Sequence, residues 1–257
     1  MNIATPPQES APGPHIERVR HEIRRRMLTV DSVENVTPGM LRIVLKGEEL
    51  ADFVSLGFDD HIKVVVAGEG GENEMRDYTP RRYDNDARAL TLDFAIHEAG
   101  PVTAWALGAK VGDALQIAGP RGSAIISGEI GRLVLIGDET ALPAIGRRIE
   151  EAAAGAEIIS IGAVAGPEEE QRFETAANHT ALWAYRPLSE ATDPQSILDV
   201  LKTVEITPDT FVWIAAEAGV ARALRAWLVN EKGRPLNWIK AAGYWVQGQA
   251  DAQDKTM

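Results

Sequence analysis

Hydrophobic and polar residues follow one period in the first half of the chain and another in the second. Between residues 27 and 126, short runs rich in Val, Ile, Leu and Thr alternate with Gly-, Pro-, Asp- and Asn-containing segments. This pattern is typical of strands joined by turns. It predicts one helix at 102–107 and many short strands, which favour a barrel or a sandwich. The predicted strands are 27–30, 41–45, 62–66, 89–94 and 114–117.

From about residue 132 the pattern changes to apolar runs that alternate with helical segments. Five predicted strands and four predicted helices indicate an open parallel sheet covered on both faces. Such sheets bind ligands at the carboxyl ends of their strands. The strands are 133–136, 158–165, 182–185, 211–216 and 238–245, and the helices are 141–154, the Glu-rich 168–177, 195–204 and 220–231.

These two patterns predict a two-domain protein of the β plus α/β class, with a cleft between the domains. We predict a flexible N-terminal tail at 1–19, a β-barrel domain at 20–127 and an α/β domain at 128–257. The length of 257 residues is ample for two buried cores.

Cysteine is absent from the sequence, and its five histidines have no paired spacing. Disulfides, thiol redox chemistry and Cys-ligated metal sites are therefore excluded. We predict no protein-bound metal, so any redox activity must come from an organic cofactor.

The net charge is −12, with a sequence pI of about 4.9. This charge argues against nucleic acid as a partner. The basic run at 18–26 could be a binding arm, but we favour a solvated face or a charged edge strand. Because the chain has no bilayer-length apolar run and its polar start has no signal-peptide core, we expect a cytoplasmic protein without a membrane partner.

Residues 76–83, with the sequence RDYTPRRY, are the most informative segment for function. In an extended segment Arg76 and Tyr78 share a face and Thr79 points away from it. A guanidinium pairs with a pyrophosphate, a phenol ring packs on an isoalloxazine, and a hydroxyl can hydrogen-bond its edge. The segment therefore suits a flavin, although it would also suit a half-buried strand before a proline turn.

Two glycine-containing segments in the same half could form anion-binding sites. Gly100 precedes a helix start that carries Thr103, and the amides there could hold a phosphate or simply cap the helix. Arg121 lies in a Gly-Pro-Arg-Gly sequence, which is either a surface turn or the rim of a cleft that offers a forked donor to an anion.

The candidate nucleotide-binding site of the second half lies at the junctions between strands and helices. The loop at 137–143 could dock a phosphate, while its Asp138 and Glu139 could cap the helix or contact cofactor hydroxyls. Glu217 stands at a similar junction. Arg186 could reach a phosphate, but the acids at 168–170 would repel an additional one, so NADH and NADPH both stay open.

Several segments together resemble the siderophore-interacting protein family, a branch of the ferredoxin–NADP reductase superfamily. The resemblance covers nearly the whole chain and is strongest in the GDETALP sequence that begins at Gly137. It also includes RDYTPR at 76–81, the block from Asp93 to Trp105, GPRG at 119–122 and GYW at 243–245. It implies an FAD-dependent reductase that takes electrons from NAD(P)H and reduces Fe(III) in a siderophore.

The resemblance also implies site residues. Arg76 would hold the FAD pyrophosphate, Tyr78 would stack on the isoalloxazine and Thr79 would bond near its N5 atom. The other implied FAD contacts are His97, Gly100, Val102 and Thr103. The implied NAD(P)H contacts are Gly137, Asp138, Glu139, Thr140, Arg186 and Glu217, and the implied ferric-chelate contacts are Lys63, Arg121 and Lys240.

The chain departs from the family pattern at two positions. Val246 follows the GYW sequence where the family commonly has arginine, and Ala216 replaces a glycine before the acid of the fourth strand. We predict hydride transfer to the flavin and electron transfer to iron, with a monomeric chain and no residue assigned as general acid or base. A reductase of another acceptor, such as a quinone or a protein, and a non-catalytic chelate binder are the alternatives.

Overall fold

The strands of this protein form one large antiparallel sheet, one parallel sheet and a two-stranded ladder. The computed structural model describes residues 13–68, 71–96 and 100–249. A seven-stranded antiparallel sheet has the order β5-β4-β8-β2-β3-β7-β6, while β1 pairs with β9. The strands are β1 (His15–Arg20), β2 (Arg25–Thr37), β3 (Met40–Lys46), β4 (Ile62–Ala67), β5 (Asn73–Tyr78), β6 (Arg82–Asp84), β7 (Ala89–Ala95), β8 (Ala114–Ala118) and β9 (Gly122–Ser127).

Alternating side chains of these strands fill the core of the first half. Leu90, Leu92 and Phe94 of β7 are fully buried and pack with Ile43 and Leu45 of β3. This two-residue period places one face of the sheet on the core. The predicted helix is present as α1 (Pro101–Gly108), which packs against β4 and β5.

The second half contains a five-stranded parallel sheet, as the sequence predicted, and the structure gives its strand order as β12-β11-β10-β13-β14. The strands are β10 (Arg132–Gly137), β11 (Glu157–Val164), β12 (Asn178–Tyr185), β13 (Thr210–Glu217) and β14 (Ile239–Trp245). Every residue of β13 is buried, which is typical of a parallel strand with both faces covered. The helices are α2 (Leu142–Glu150), α3 (Gln195–Leu201) and α4 (Ala218–Asn230).

The predicted helix at 168–177 is wrong, because the described residues contain only a short 3₁₀ turn there, at Pro167–Glu169. The side chains of this segment are held by other elements. Glu169 accepts hydrogen bonds from the Thr37 hydroxyl at 2.5 Å and from the Gly39 amide at 3.0 Å. Met40 and Phe58 of the first half also join the core on α2's side of the sheet, so the first half covers apolar surface that an additional helix would otherwise cover.

The basic run at 18–26 forms parts of β1 and β2. The β1 part agrees with the edge-strand interpretation because, among the strands that the structure describes, β1 pairs only with β9, whereas β2 lies inside the seven-stranded sheet between β8 and β3. Residues 15–19, which we predicted to belong to the flexible tail, lie in β1, because their backbone pairs with β9 from His15 to Arg20. Residues 1–12 lie outside the described part of the chain. The sequence pattern also missed β6 and β9, which are too short or too mixed in composition to show a clear period.

Buried arginines connect the two halves of the chain. The Arg147 guanidinium donates to the Ser55 hydroxyl at 2.8 Å, to the Ser55 carbonyl at 2.8 Å and to the Pro80 carbonyl at 3.1 Å. Arg81 donates to Glu150 of α2 at 2.8 Å. Because α2 follows β10, these bonds fix the start of the parallel sheet against the antiparallel one.

The Glu150 carboxylate makes this connection sensitive to pH. Burial opposes its ionisation, but hydrogen bonds and charges from Arg81 and then Arg82 hold its pKa below the ordinary value of 4.5. A carboxylate with a lowered pKa stabilises the fold above its unfolded-state pKa, and this contribution is lost as the pH falls through the folded-state pKa.

We therefore expect Glu150→Gln to be less stable than the wild type at neutral pH, with a difference that shrinks as the pH falls below 4.5. Urea unfolding at a series of pH values measures this difference. The exposed Glu157 provides a control, because Glu157→Gln removes a carboxylate from the same half without disturbing Arg81. A difference for Glu150→Gln that stays constant with pH would contradict the assignment.

Candidate functional site

Tyr78 is the last residue of β5 and the central aromatic residue of the candidate flavin seat. This is the flavin-binding site predicted around Arg76, Tyr78, Thr79 and the start of α1. Its ring packs on Phe94 with the centroids 4.4 Å apart, and it borders the core of the antiparallel half. Burial raises the pKa of Tyr78 to about 12, while a hydrogen bond from Thr103 and the charge of Arg76 act in the opposite direction. The phenol therefore stays protonated near neutral pH.

These interactions bring three predicted FAD residues together. Arg76 and Tyr78 lie two residues apart on β5, and Thr103 reaches them from the first turn of α1. Thr79 is buried directly after β5. The Arg76 guanidinium forms an ion pair with Glu74 at 2.9 Å, so a pyrophosphate would have to compete with that carboxylate.

The N-terminus of α1 offers backbone donors beside this cation. Gly100 occupies the N-cap position without a side-chain cap, and Pro101 begins the helix. The amides of Val102 and Thr103 are thus among the first-turn N–H groups that an α-helix leaves without an intrahelical acceptor. Helix amides next to a guanidinium suit a phosphate, so this donor set fits the pyrophosphate of a flavin dinucleotide. His97 lies outside the described residues.

The candidate nucleotide residues meet at the carboxyl edge of the parallel sheet, where Asp138 connects three strands. Its Oδ1 accepts from the Thr140 amide at 3.0 Å and from the Thr140 hydroxyl at 2.5 Å. Its Oδ2 accepts from the Glu217 amide at 2.9 Å and from the Trp245 indole at 2.9 Å. Asp138 is 1% exposed, so its role in the structure is to join the ends of β10, β13 and β14.

Glu139 and Arg186 form a buried bidentate pair at this edge. The two guanidinium–carboxylate distances are 2.9 and 2.8 Å, and the Arg186 side chain is 3% exposed. We predicted that Arg186 would be available to a phosphate, whereas the structure shows it bound to a carboxylate. A contact between Arg186 and a nucleotide stays a prediction. It would require Glu139 to share or release the Arg186 guanidinium.

Glu217 and Gly137 have structural reasons for their identity. The Glu217 carboxylate caps α4 by accepting from the amides of Gly219 at 2.5 Å and Val220 at 3.2 Å. A Cβ at Gly137 would lie 2.4 Å from the Ala141 Cβ and 2.8 Å from the Ala215 carbonyl. Close packing of α2 on the sheet therefore requires glycine there, whether or not a phosphate approaches.

Two of the three predicted chelate-binding cations, Lys63 and Lys240, lie at the segment 59–63, and Arg121 follows a strand that pairs with this segment. Lys63 is the β-sheet partner of Ala118, at the end of β8, and Arg121 follows three residues later. Lys240 lies on β14, and its ammonium is 2.6 Å from Asp59. In the same segment Ile62 is the register partner of Tyr78, so Lys63 lies on the strand next to the candidate flavin seat, whereas Lys240 lies on β14 of the parallel sheet.

Two carboxylates near these lysines had no assigned role in the sequence. Asp77 Oδ1 is 3.3 Å from Lys63 Nζ. Asp59 Oδ2 accepts from the Trp213 indole at 2.9 Å in addition to pairing with Lys240. Nothing in the local sequence predicts these pairs, because the partners come from different elements.

Tyr244 of β14 lies among the carboxylates of both halves. Burial raises its pKa well above the ordinary value, and four nearby carboxylates add to the shift. These are Asp59, Asp60, Asp138 and Asp77. Tyr244 therefore lies in the electrostatic field of carboxylates from both halves.

Neither a metal site nor a membrane span emerges from the described ranges. Within them, no three His, Asp or Glu side chains are grouped so that they could hold a metal ion. None of the helices in those ranges is both long enough and apolar enough to cross a bilayer.

Two family profiles match the chain. Residues 131–248 match the profile described as "Siderophore-interacting protein". Residues 29–75 and 68–124 match the profile described as "Siderophore-interacting FAD-binding domain". Together the two matches cover both the antiparallel and the parallel half.

Individual relatives support the same grouping. An NADPH-dependent ferric-chelate reductase of Escherichia coli is 34% identical over 89% of this chain and 96% of its own length. A ferric vibriobactin reductase of Vibrio cholerae is 25% identical over 87% of this chain and 90% of its own length. The crystal structure of a siderophore utilization protein from T. fusca superposes with a TM-score of 0.86 at 32% identity, covering 95% of this chain and all of that one.

Proposed function

The chain belongs to the siderophore-interacting protein family, and from this premise we propose that it is a flavin-dependent ferric-siderophore reductase. In this function NAD(P)H is the reductant, FAD is the cofactor and Fe(III) held in a siderophore is the acceptor. The E. coli relative is named as an NADPH-dependent ferric-chelate reductase, and the Vibrio relative is named as a ferric vibriobactin reductase. The chain matches the FAD-binding domain of the family.

One structural observation carries the proposal. Lys63 lies on β4, which pairs with the strand of Tyr78 through the Ile62–Tyr78 register pair, and Lys240 of the parallel sheet reaches the neighbouring segment through its contact with Asp59. An electron donor and its acceptor need close approach, and the position of Lys63 on the strand next to Tyr78 supports a chelate site close to the flavin.

The residues of the antiparallel half would bind and orient the cofactor. Arg76 and the α1 amides would hold its pyrophosphate, and the protonated Tyr78 would pack against the isoalloxazine. The bound flavin supplies the redox chemistry, which links a two-electron hydride donor to a one-electron ferric acceptor.

The parallel half would position the reductant. Gly137, Asp138, Glu139, Thr140, Arg186 and Glu217 are the proposed nucleotide-side residues. Asp138 would act through the backbone geometry of the strand ends, because its oxygens are occupied by hydrogen bonds. Lys63, Arg121 and Lys240 would contact the chelate at the segment 59–63. Fe(II) is a softer ion than Fe(III) and binds hard oxygen ligands less tightly, so reduction would release the iron.

The proposed location is the cytoplasm, where nicotinamide nucleotides supply the electrons. We propose a monomer that acts on a small ferric chelate. Size-exclusion chromatography with light scattering tests the monomer directly.

The decisive experiment follows the colour of the purified protein. We expect an oxidised FAD spectrum that bleaches when NADPH or NADH is added without oxygen, and that returns when ferric chelate is added. A ferrous-specific dye should then report two Fe(II) ions for each nucleotide oxidised, because a hydride carries two electrons.

Each departure from this result has a distinct meaning. Protein that stays colourless after incubation with FAD would overturn the flavin assignment. Protein that bleaches with the nucleotide but yields no Fe(II) would indicate another acceptor, such as a quinone. Bound flavin that no nucleotide can bleach would indicate a chelate binder without reductase activity.

A further inference from the structure

Two of the three cations assigned to the chelate are paired with carboxylates of the same chain. Lys240 Nζ is 2.6 Å from Asp59 and Lys63 Nζ is 3.3 Å from Asp77. Arg121 is exposed and forms no ion pair with any residue that the structure describes. The cations therefore exceed these carboxylates by only one charge, so the group is a charge-balanced patch rather than a strongly basic one.

Asp59 is fixed in place beside Lys240. Its side chain is 8% exposed, and the oxygen that faces Lys240 also accepts from the Trp213 indole. Trp213 is itself buried and packs edge-on against Tyr244 with the centroids 6.1 Å apart. An incoming anion could not displace Asp59 into solvent without breaking this packing, so it would have to approach a resident negative charge.

Asp77 is fixed in a similar way by the sheet. It lies opposite Lys63 in the β4–β5 ladder, one residue before Tyr78. Its side chain is 10% exposed. Asp59 and Asp77 both contribute to the carboxylate environment of Tyr244. Both negative charges therefore lie directly beside the lysines assigned to the chelate.

A paired lysine still offers hydrogen bonds. An ammonium group has three donors, so contact with one carboxylate oxygen leaves others for a neutral carbonyl or hydroxamate oxygen. A strongly charged anion gains little from such a lysine, since the adjacent carboxylate offsets the attraction. The net charge of −12 adds a repulsive long-range field.

We propose that Asp59 and Asp77 determine acceptor specificity by balancing the charges of Lys240 and Lys63. The site then favours ferric chelates of low charge, such as tris-hydroxamates, over trianionic tris-catecholates. This inference rests on the proposed function, and it concerns only which class of chelate binds.

The test measures binding to the oxidised holoprotein rather than turnover. Gallium(III) complexes of one tris-hydroxamate and one tris-catecholate serve as probes, because gallium replaces ferric iron without accepting electrons at flavin potentials. Titrations followed by tryptophan fluorescence should show that the wild type binds the tris-hydroxamate more tightly.

Asp59→Asn and Asp77→Asn each remove a charge and keep the side-chain size. Each should strengthen tris-catecholate binding about tenfold at low ionic strength, as one charge removed at close range can do. Tris-hydroxamate binding should change by less than about threefold, because an uncharged ligand has no comparable Coulomb term. The matched control is Asp199→Asn. Asp199 is an exposed residue of α3 whose carboxylate pairs with Lys202, so its substitution should change neither affinity.

A salt series on the wild type tests the inference without any substitution. Tris-catecholate affinity should rise as salt screens the repulsion, and in the Asp59→Asn/Asp77→Asn double variant it should fall instead. Tighter tris-catecholate than tris-hydroxamate binding in the wild type would overturn the inference, as would an unchanged affinity ratio in both single variants. Failure of the proposed function would instead appear as flavin that does not bleach with nucleotide in the same preparations.

Discussion

Asp138→Asn should lower the free energy of unfolding by about 2–4 kcal/mol, because a buried acceptor of four hydrogen bonds becomes part donor. In either amide orientation the new NH₂ group faces two N–H or O–H groups that had donated to a carboxylate oxygen. Those groups belong to Thr140 in one orientation, and to Glu217 and Trp245 in the other. The donors lie in the loop after β10 in one case and at the ends of β13 and β14 in the other, so the carboxyl edge of the parallel sheet should loosen.

Urea unfolding followed by tryptophan fluorescence measures this effect, since Trp245 donates directly to the substituted side chain. Asp199→Asn provides the control, because Asp199 makes similar hydrogen bonds on an exposed helix surface and should leave the unfolding midpoint unchanged. We also expect the Asp138→Asn variant to bind the nicotinamide nucleotide more weakly than the wild type. Equal midpoints for the two variants would show that Asp138 does not hold the strand ends together.

Tyr78→Ala should weaken FAD binding about 30- to 150-fold, which corresponds to the 2–3 kcal/mol typical of a buried aromatic contact at a binding site. The substitution removes the ring that would pack on the isoalloxazine and also the hydroxyl bonded to Thr103. Tyr78→Phe keeps the ring, so its FAD affinity should fall by less than about tenfold. Fluorescence titration of the apoprotein with FAD measures both.

Loss of packing against Phe94 will also reduce stability in Tyr78→Ala, and a second tyrosine separates that effect from binding. Tyr83 borders the same core from β6, at the opposite end of the strand order, where its ring meets Phe53 at 5.1 Å. Tyr83→Ala should destabilise the antiparallel half without a comparable loss of FAD affinity. If both variants lose FAD equally, Tyr78 has no special contact with the flavin.

Periodicity predicted the parallel sheet well because its central strands are buried on both faces. Continuous apolar runs such as β10 and β13 are typical of parallel strands when helices with one apolar stripe separate them. In α4 the buried Val220, Leu224 and Leu228 form such a stripe. The same logic failed at 168–177, where the acidic composition resembles a helix but Glu169 is bound by Thr37 and Gly39 of the other half.

Motifs predicted the candidate flavin seat because its residues are close in sequence. Arg76, Tyr78 and Thr79 occur within four positions, and the alternation of a strand decides which of them share a face. The Arg186 prediction was less complete for the opposite reason. Its position after β12 was visible in the sequence, but its bidentate contact with Glu139 depends on how two loops of the parallel sheet meet.

The amino-acid sequence alone was enough to predict the two-part fold class, the flavin cofactor and the family. These properties follow from local periods, from composition and from contiguous motifs. The carboxylates that lie against Lys63 and Lys240, and the donors that surround Asp138, became visible only in the folded structure. Such contacts join residues from separate strands, and their distances depend on strand order, register and loop path, none of which a local pattern of residues contains.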